Sequence, residues 1–105
     1  MSLTRASAQT AGWIRWLRGE LLSLDYSETE VWADFRNPGG RVVAHLRPSR
    51  SRIVAYLKLQ PDDEIDLLPA RTGWDFPATF TMHGEGELSR ARDLILKAAT
   101  RGKTA

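Results

Sequence analysis

Two histidines, His45 and His83, and one carboxylate, Asp34, are the residues whose types could hold a divalent metal as a two-histidine, one-carboxylate set. Nothing in their spacing resembles a helix-borne ligand pair, and histidines on strands are commonly hydrogen-bonded surface groups, so no metal and no cofactor is expected. A restriction-type nuclease holds Mg²⁺ with an acid on one strand and an acid-x-lysine on the next. Asp34 fits the first position, but the residue two before Lys58 is Tyr56, which breaks the motif. Asp62, Asp63 and Glu64 read as a solvated turn or helix cap rather than as an acid/base pair, which needs two contrasted environments. The serines lack a Gly-x-Ser-x-Gly elbow. Gly84-Glu85-Gly86 lacks the continuation of a phosphate loop. No catalytic constellation is present, and no enzyme is expected.

Aromatic and basic residues form the remaining candidate. Trp32, His45 and Tyr56 offer flat rings, and Arg41, Arg47, Arg52 and Lys58 offer cations. In sheet-based single-strand binders, bases stack on such rings while cations follow the phosphates. The Lys/Arg-Gly-aromatic run of the common RNA-binding sheet is missing. Trp, Tyr and Arg are equally at home in the core of a homodimer interface. The same face could also be covered by the chain's own loop, or take a small ligand.

These residues need strands to position them. Four segments, 31–36, 41–47, 52–59 and 78–83, alternate with period 2, so each has two faces. One face carries Val31, Ala33 and Phe35, then Val42, Ala44 and Leu46, then Ile53, Ala55, Leu57 and Leu59, then Ala78, Phe80 and Met82. The other carries Trp32, Asp34 and Arg36, then Arg41, Val43, His45 and Arg47, then Arg52, Val54, Tyr56 and Lys58, then Thr79, Thr81 and His83. Asn37-Pro38-Gly39-Gly40 and Pro48-Ser49-Arg50-Ser51 are turn signals of hairpin length.

A first helix is expected from an N-cap at Thr10 to about Leu24, with a stripe of Ile14, Leu17, Leu21 and Leu24 widened by Trp13 and Trp16. Gly19 within it suggests close approach of another element. The acids at 62–64 suit the start of a short helical turn ending at Pro69. Trp74 and Phe76 read as a plug at one end of the core, with a pocket wall beneath their loop as the alternative. Leu88, Ala91, Leu94, Ile95 and Ala98 give a last helix from Glu87 to about Thr100. The expected class is α+β: a mostly antiparallel four-stranded sheet with two helices on one face, in the order α-β-β-β-(short α)-β-α.

The chain has 105 residues, is 42% hydrophobic, carries a formal net charge of +2 and contains no cysteine. That fits one domain over 1–105, with 1–9 and 101–105 as flexible arms. It excludes disulfides and thiolate sites and fits a cytoplasmic setting. No run approaches the ~20 apolar residues of a membrane helix, so no membrane partner is expected. Between Arg36 and Lys58 there are arginines at 36, 41, 47, 50 and 52 and no acid, whereas Asp62, Asp63, Glu64 and Asp66 follow without a base. Such a basic block can neutralise phosphates.

The stretch Arg50-Ser51-Arg52-Ile53-Val54-Ala55-Tyr56-Leu57-Lys58-Leu59, followed by Pro61-Asp62-Asp63, resembles the central strand of a bacterial family of domains of unknown function described as a "predicted transport protein". Thr72-Gly73-Trp74, Thr79-Phe80-Thr81-Met82 and the closing helix occupy the family's other positions. The resemblance carries over no catalytic residue, and it implies nucleic acid as a partner through restriction-endonuclease-like neighbours. Lys58 to Glu64 is also similar to small α+β domains described as double-wing DNA-binding proteins. The expectation is therefore a small binding or interaction module, homodimeric through its aromatic-basic face. The alternative is a non-catalytic nucleic-acid-binding domain associated with a restriction or defence system.

Overall fold

The computed structural model describes residues 3–70 and 75–104, with side chains up to Arg101. The elements are α1 (Ala8–Glu20), β1 (Asp25–Glu28), β2 (Ala33–Arg36), β3 (Val42–Pro48), β4 (Ile53–Leu57), β5 (Leu68–Pro69), β6 (Ala78–Met82), a 3₁₀ turn (Glu85–Glu87) and α2 (Leu88–Thr104). All pairings are antiparallel, in the order β1-β2-β3-β4-β6-β5. The class is α+β as expected, but the sheet has six strands rather than four.

The two extra strands lie at the sheet's edges. Asp25–Glu28, which lies outside the four expected strands, pairs along its whole length with β2. Thr29 closes that hairpin: its hydroxyl oxygen accepts from the amides of Val31 and Trp32, and its own amide donates to the Trp32 carbonyl. Val31 and Trp32 thus belong to the turn and not to the strand. At the other edge, Leu68 and Pro69 pair with Thr79 and Ala78 where a helical turn was expected. Residues 61–66 form turns and bends.

The core face is a checkerboard. Across the sheet, Ala33, Leu46, Ala55 and Phe80 are successive partners, and so are Phe35, Ala44, Leu57 and Ala78. Within these two rows a large side chain faces a small one, so the layer above can interdigitate with it. Both helices close that layer, with Trp13, Ile14, Leu17 and Leu21 from the first and Leu88, Ala91, Leu94, Ile95 and Ala98 from the second in the same buried cluster.

β3 breaks the expected alternation. Phe35 pairs with Ala44 but Arg36 pairs with Val42, so one step on β2 spans two on β3, which is a β-bulge. Val43 is consequently buried with Ala44 in the core, while Val42 turns to the opposite face. The assignment of Val42 inward and Val43 outward is reversed. The bulge follows a turn closed by the Asn37 amide on the Arg41 carbonyl, with Gly40 at φ +86, where only glycine is unstrained.

The first helix starts earlier than expected. Ser7 is the N-cap, and Thr10 completes a reciprocal capping box with it. Thr10 also donates to the Ser49 carbonyl at 2.7 Å, and Ser7 to the Arg50 carbonyl at 2.7 Å, which fastens the helix start to the β3–β4 turn. Thr4 donates through both amide and hydroxyl to the Glu30 carbonyl, so the segment read as a frayed arm crosses to the β1–β2 turn and is bonded there. Gly19 has open space where a Cβ would stand, so no element approaches it closely. Among the described residues no helix is long and apolar enough to cross a membrane.

Candidate nucleic-acid interface

Opposite the core, one row of partners runs across the whole sheet: Ser27, Asp34, His45, Tyr56, Thr79 and Leu68. Strand pairing thus brings Asp34, His45 and Tyr56 side by side. His45 Nδ1 meets Asp34 Oδ1 at 2.5 Å with both side chains largely buried. The carboxylate orients the imidazole by holding its Nδ1 proton. Thr79, not His83, shares the row with His45. His83 is exposed, with its amide bonded to Glu87. The two histidines and Asp34 are therefore not assembled into a ligand set, and no other group of three such ligands occurs among the described residues.

The rings are packed on one another. Trp32 stacks on His45 with centroids 3.6 Å apart, and Tyr56 meets Trp32 edge-on at 5.8 Å. Phe76 stacks on His45 at 5.3 Å and 10°. Phe76 was expected to plug the core; it is absent from the core cluster and roofs part of the opposite face instead. Trp74, its expected companion, lies outside the described residues. Internal cover by the chain's own loop, one of the four uses considered above, is thus realised at His45.

Cations surround the stack. Lys58 Nζ lies 4.8 Å over the Phe76 ring, and the Arg47 guanidinium 5.6 Å over Trp32, both within range of cation–π attraction. Lys58 and Arg41 line a depression of about 470 Å³ with Val42, Asp34, His45, Asp75 and Phe76. Arg41 is exposed and belongs to the turn before β3, not to the strand. A second depression, of about 300 Å³, is lined by Arg47, Arg52, Tyr56, Val54, Pro48 and Ser49, and by Arg5 from the N-terminal segment. All seven expected residues (Trp32, Arg41, His45, Arg47, Arg52, Tyr56 and Lys58) belong to the ring stack or to one of these two depressions. Sequence reasoning missed Arg5 and had Phe76 at a pocket wall only as the alternative to a plug. Phe76 carried a signal, an apolar ring in a polar loop, but Arg5 carried none.

The α2 cations up to Arg101 are paired with acids, whereas Arg15 and Arg18 of α1 have no ion pair among the described residues. Arg90 bonds Glu64 and Asp66, Lys97 bonds Glu64, Arg92 bonds Glu20, and Arg101 bonds Asp63. The acids read as a solvated turn are thereby tied to α2. The bonds from Lys97 and Arg90 hold the Glu64 carboxyl below the usual carboxylate range, and Arg90 does the same for Asp66. Among the described residues, Arg5, Arg41, Arg47, Arg52 and Lys58 have no ion pair, and the carboxylate in the row, Asp34, is engaged by His45.

Comparison of the chain with protein-family models, with curated proteins and with solved structures finds no match.

Proposed function

We propose that this chain is a non-catalytic binding module whose basic sheet face holds the phosphate backbone of nucleic acid. The observation that carries this reading is the convergence of five cations without ion pairs on one face. The α2 cations Arg90, Arg92, Lys97 and Arg101 are paired with acids, whereas Arg5, Arg41, Arg47, Arg52 and Lys58 line the two depressions with no ion pair among the described residues, the acids there being Asp34 and Asp75 beside Arg41 and Lys58. These cations are exposed or half-buried, and phosphates supply the counter-charge they lack. From Arg52 to Lys58 the strand advances about 20 Å, so the cations form a track and not a point. The rings are stacked on one another, so backbone contact rather than base stacking dominates, and binding is largely indifferent to sequence.

The same charges weigh against self-association through this face. In a two-fold dimer the patch meets its own copy, which sets guanidinium against guanidinium.

Fluorescence anisotropy with a labelled single-stranded oligonucleotide at two salt concentrations tests the proposal. With about five phosphates neutralised, log K is expected to fall with log salt at a slope of roughly −3.5. Arg47→Ala and Lys58→Ala should each weaken binding and flatten that slope by about 0.7. An anisotropy that stays flat at low salt rules the reading out. Light scattering during size exclusion is expected to give a monomer; a dimer dispersed by Trp32→Arg would hand the face to self-association.

A further inference from the structure

Arg5, Arg47 and Arg52 come from three separate places: the N-terminal segment, the end of β3 and the turn leading to β4. What unites them is the path of residues 3–7. Thr4 is bonded to the Glu30 carbonyl at 2.8 Å through its amide, and Ser7 to the Arg50 carbonyl at 2.7 Å. Arg5 lies between these two fastenings and lines the same 300 Å³ depression as Arg47 and Arg52. No acid lines that depression, whereas the one with Arg41 and Lys58 also contains Asp34 and Asp75. Its acid-free lining and small volume distinguish it from the rest of the face.

We infer that this three-arginine pocket takes the terminal phosphate of a nucleic-acid strand, a phosphomonoester. Three arginines lining one depression with no acid hold like charges together until an anion enters. A phosphomonoester carries up to two negative charges near neutral pH, a bridging phosphodiester only one, so the end of a strand gains more there than its middle. Guanidinium groups also match phosphate oxygens in paired, charge-assisted hydrogen bonds. The inference rests on the proposed phosphate-binding face and adds a polarity to it: the strand's end is anchored at Arg5, and its chain runs toward Lys58 and Arg41.

The experiment compares one oligonucleotide sequence with a 5′-phosphate, with a 3′-phosphate and with hydroxyls at both ends, at one salt concentration. A phosphorylated end is expected to bind about tenfold tighter, the worth of one further charge-assisted bond. Arg5→Ala should abolish that preference; Arg41→Ala, in the other depression, should weaken all three strands alike and keep it. An unchanged urea midpoint for Arg5→Ala shows that the fold is intact. If the three strands bind wild type equally, the terminal-phosphate assignment is overturned while the basic face stands. A phosphorylated strand that binds where the hydroxyl-ended strand does not leaves the pocket and removes the track. Binding by neither overturns both. Inorganic phosphate displacing the phosphorylated strand at equimolar concentration would make the pocket a free-anion site and overturn the strand-end assignment.

Discussion

Val42 and Val43 are chemically identical neighbours on opposite sides of the sheet. Val43 is fully buried among core residues, and Val42 lines the depression with His45 and Lys58. Strict alternation would have put Val42 inside and left Val43, an apolar side chain, on the basic face. The bulge buries both Val43 and Ala44, and burying a valine contributes about 1.5 kcal/mol or more. A hydroxyl in place of a methyl group distinguishes the two positions at nearly constant volume. Val43→Thr is expected to cost about 1–2 kcal/mol because a buried hydroxyl must find a partner, and Val42→Thr less than about 0.5 kcal/mol. Urea denaturation of the two variants decides; the reverse order would restore unbroken alternation. The sequence could not show this choice, since two adjacent valines fit either phase. In β6 apolar and polar residues alternate without ambiguity, and in β4 the flanking Arg52 and Lys58 with Tyr56 fix the outward phase, so both faces were legible there.

Among the elements, α1 shows what tertiary packing does and does not demand. Its buried residues Trp13, Ile14 and Leu17 follow the expected stripe. Gly19 suggested a close neighbour, yet open space lies where a side chain would begin, and its φ is not positive. Gly19→Ala should therefore stabilise the protein by about 0.5–1 kcal/mol through helix propensity. Thermal or urea unfolding checks this, and a loss of stability would mean that the space is occupied. The strand Asp25–Glu28 was not legible because Asp, Ser and Glu are poor strand formers on local grounds. Its place comes from pairing with β2 and from Tyr26, whose ring meets Phe35 edge-on at 5.3 Å. Burial and the bond from its hydroxyl to Glu28 raise the Tyr26 pKa above that of an ordinary phenol. Arg5 was beyond reach for a different reason: local sequence carries no record of a contact made across more than forty positions.

At the scale of the whole molecule, the ion pairs between α2 and the acids at 63–66 make stability depend on acid. Glu64 and Asp66 have folded-state pKa values lowered by Lys97 and Arg90. As pH falls through the ordinary carboxylate range, the unfolded chain takes up these protons first, so the equilibrium moves toward unfolding. Their stabilisation is present above that range and is lost as pH drops through the depressed values. The urea midpoint is expected to hold between pH 7 and about 5 and to fall below it. Arg90→Ala should lower the midpoint at pH 7 and make the acid decline shallower; equal declines in both proteins would show that these pairs contribute nothing.

The strand Leu68–Pro69 ends the sheet beside β6 with only two residues, one of which has no amide hydrogen to offer. Another chain arriving at that margin finds almost no ladder to extend, so fibril-like growth is blocked there. The opposite margin is four residues long and carries Asp25 and Glu28, whose charges discourage a newcomer from docking edge to edge. Both outermost strands thus offer a newcomer little to zip onto, which favours a broadside approach to the sheet.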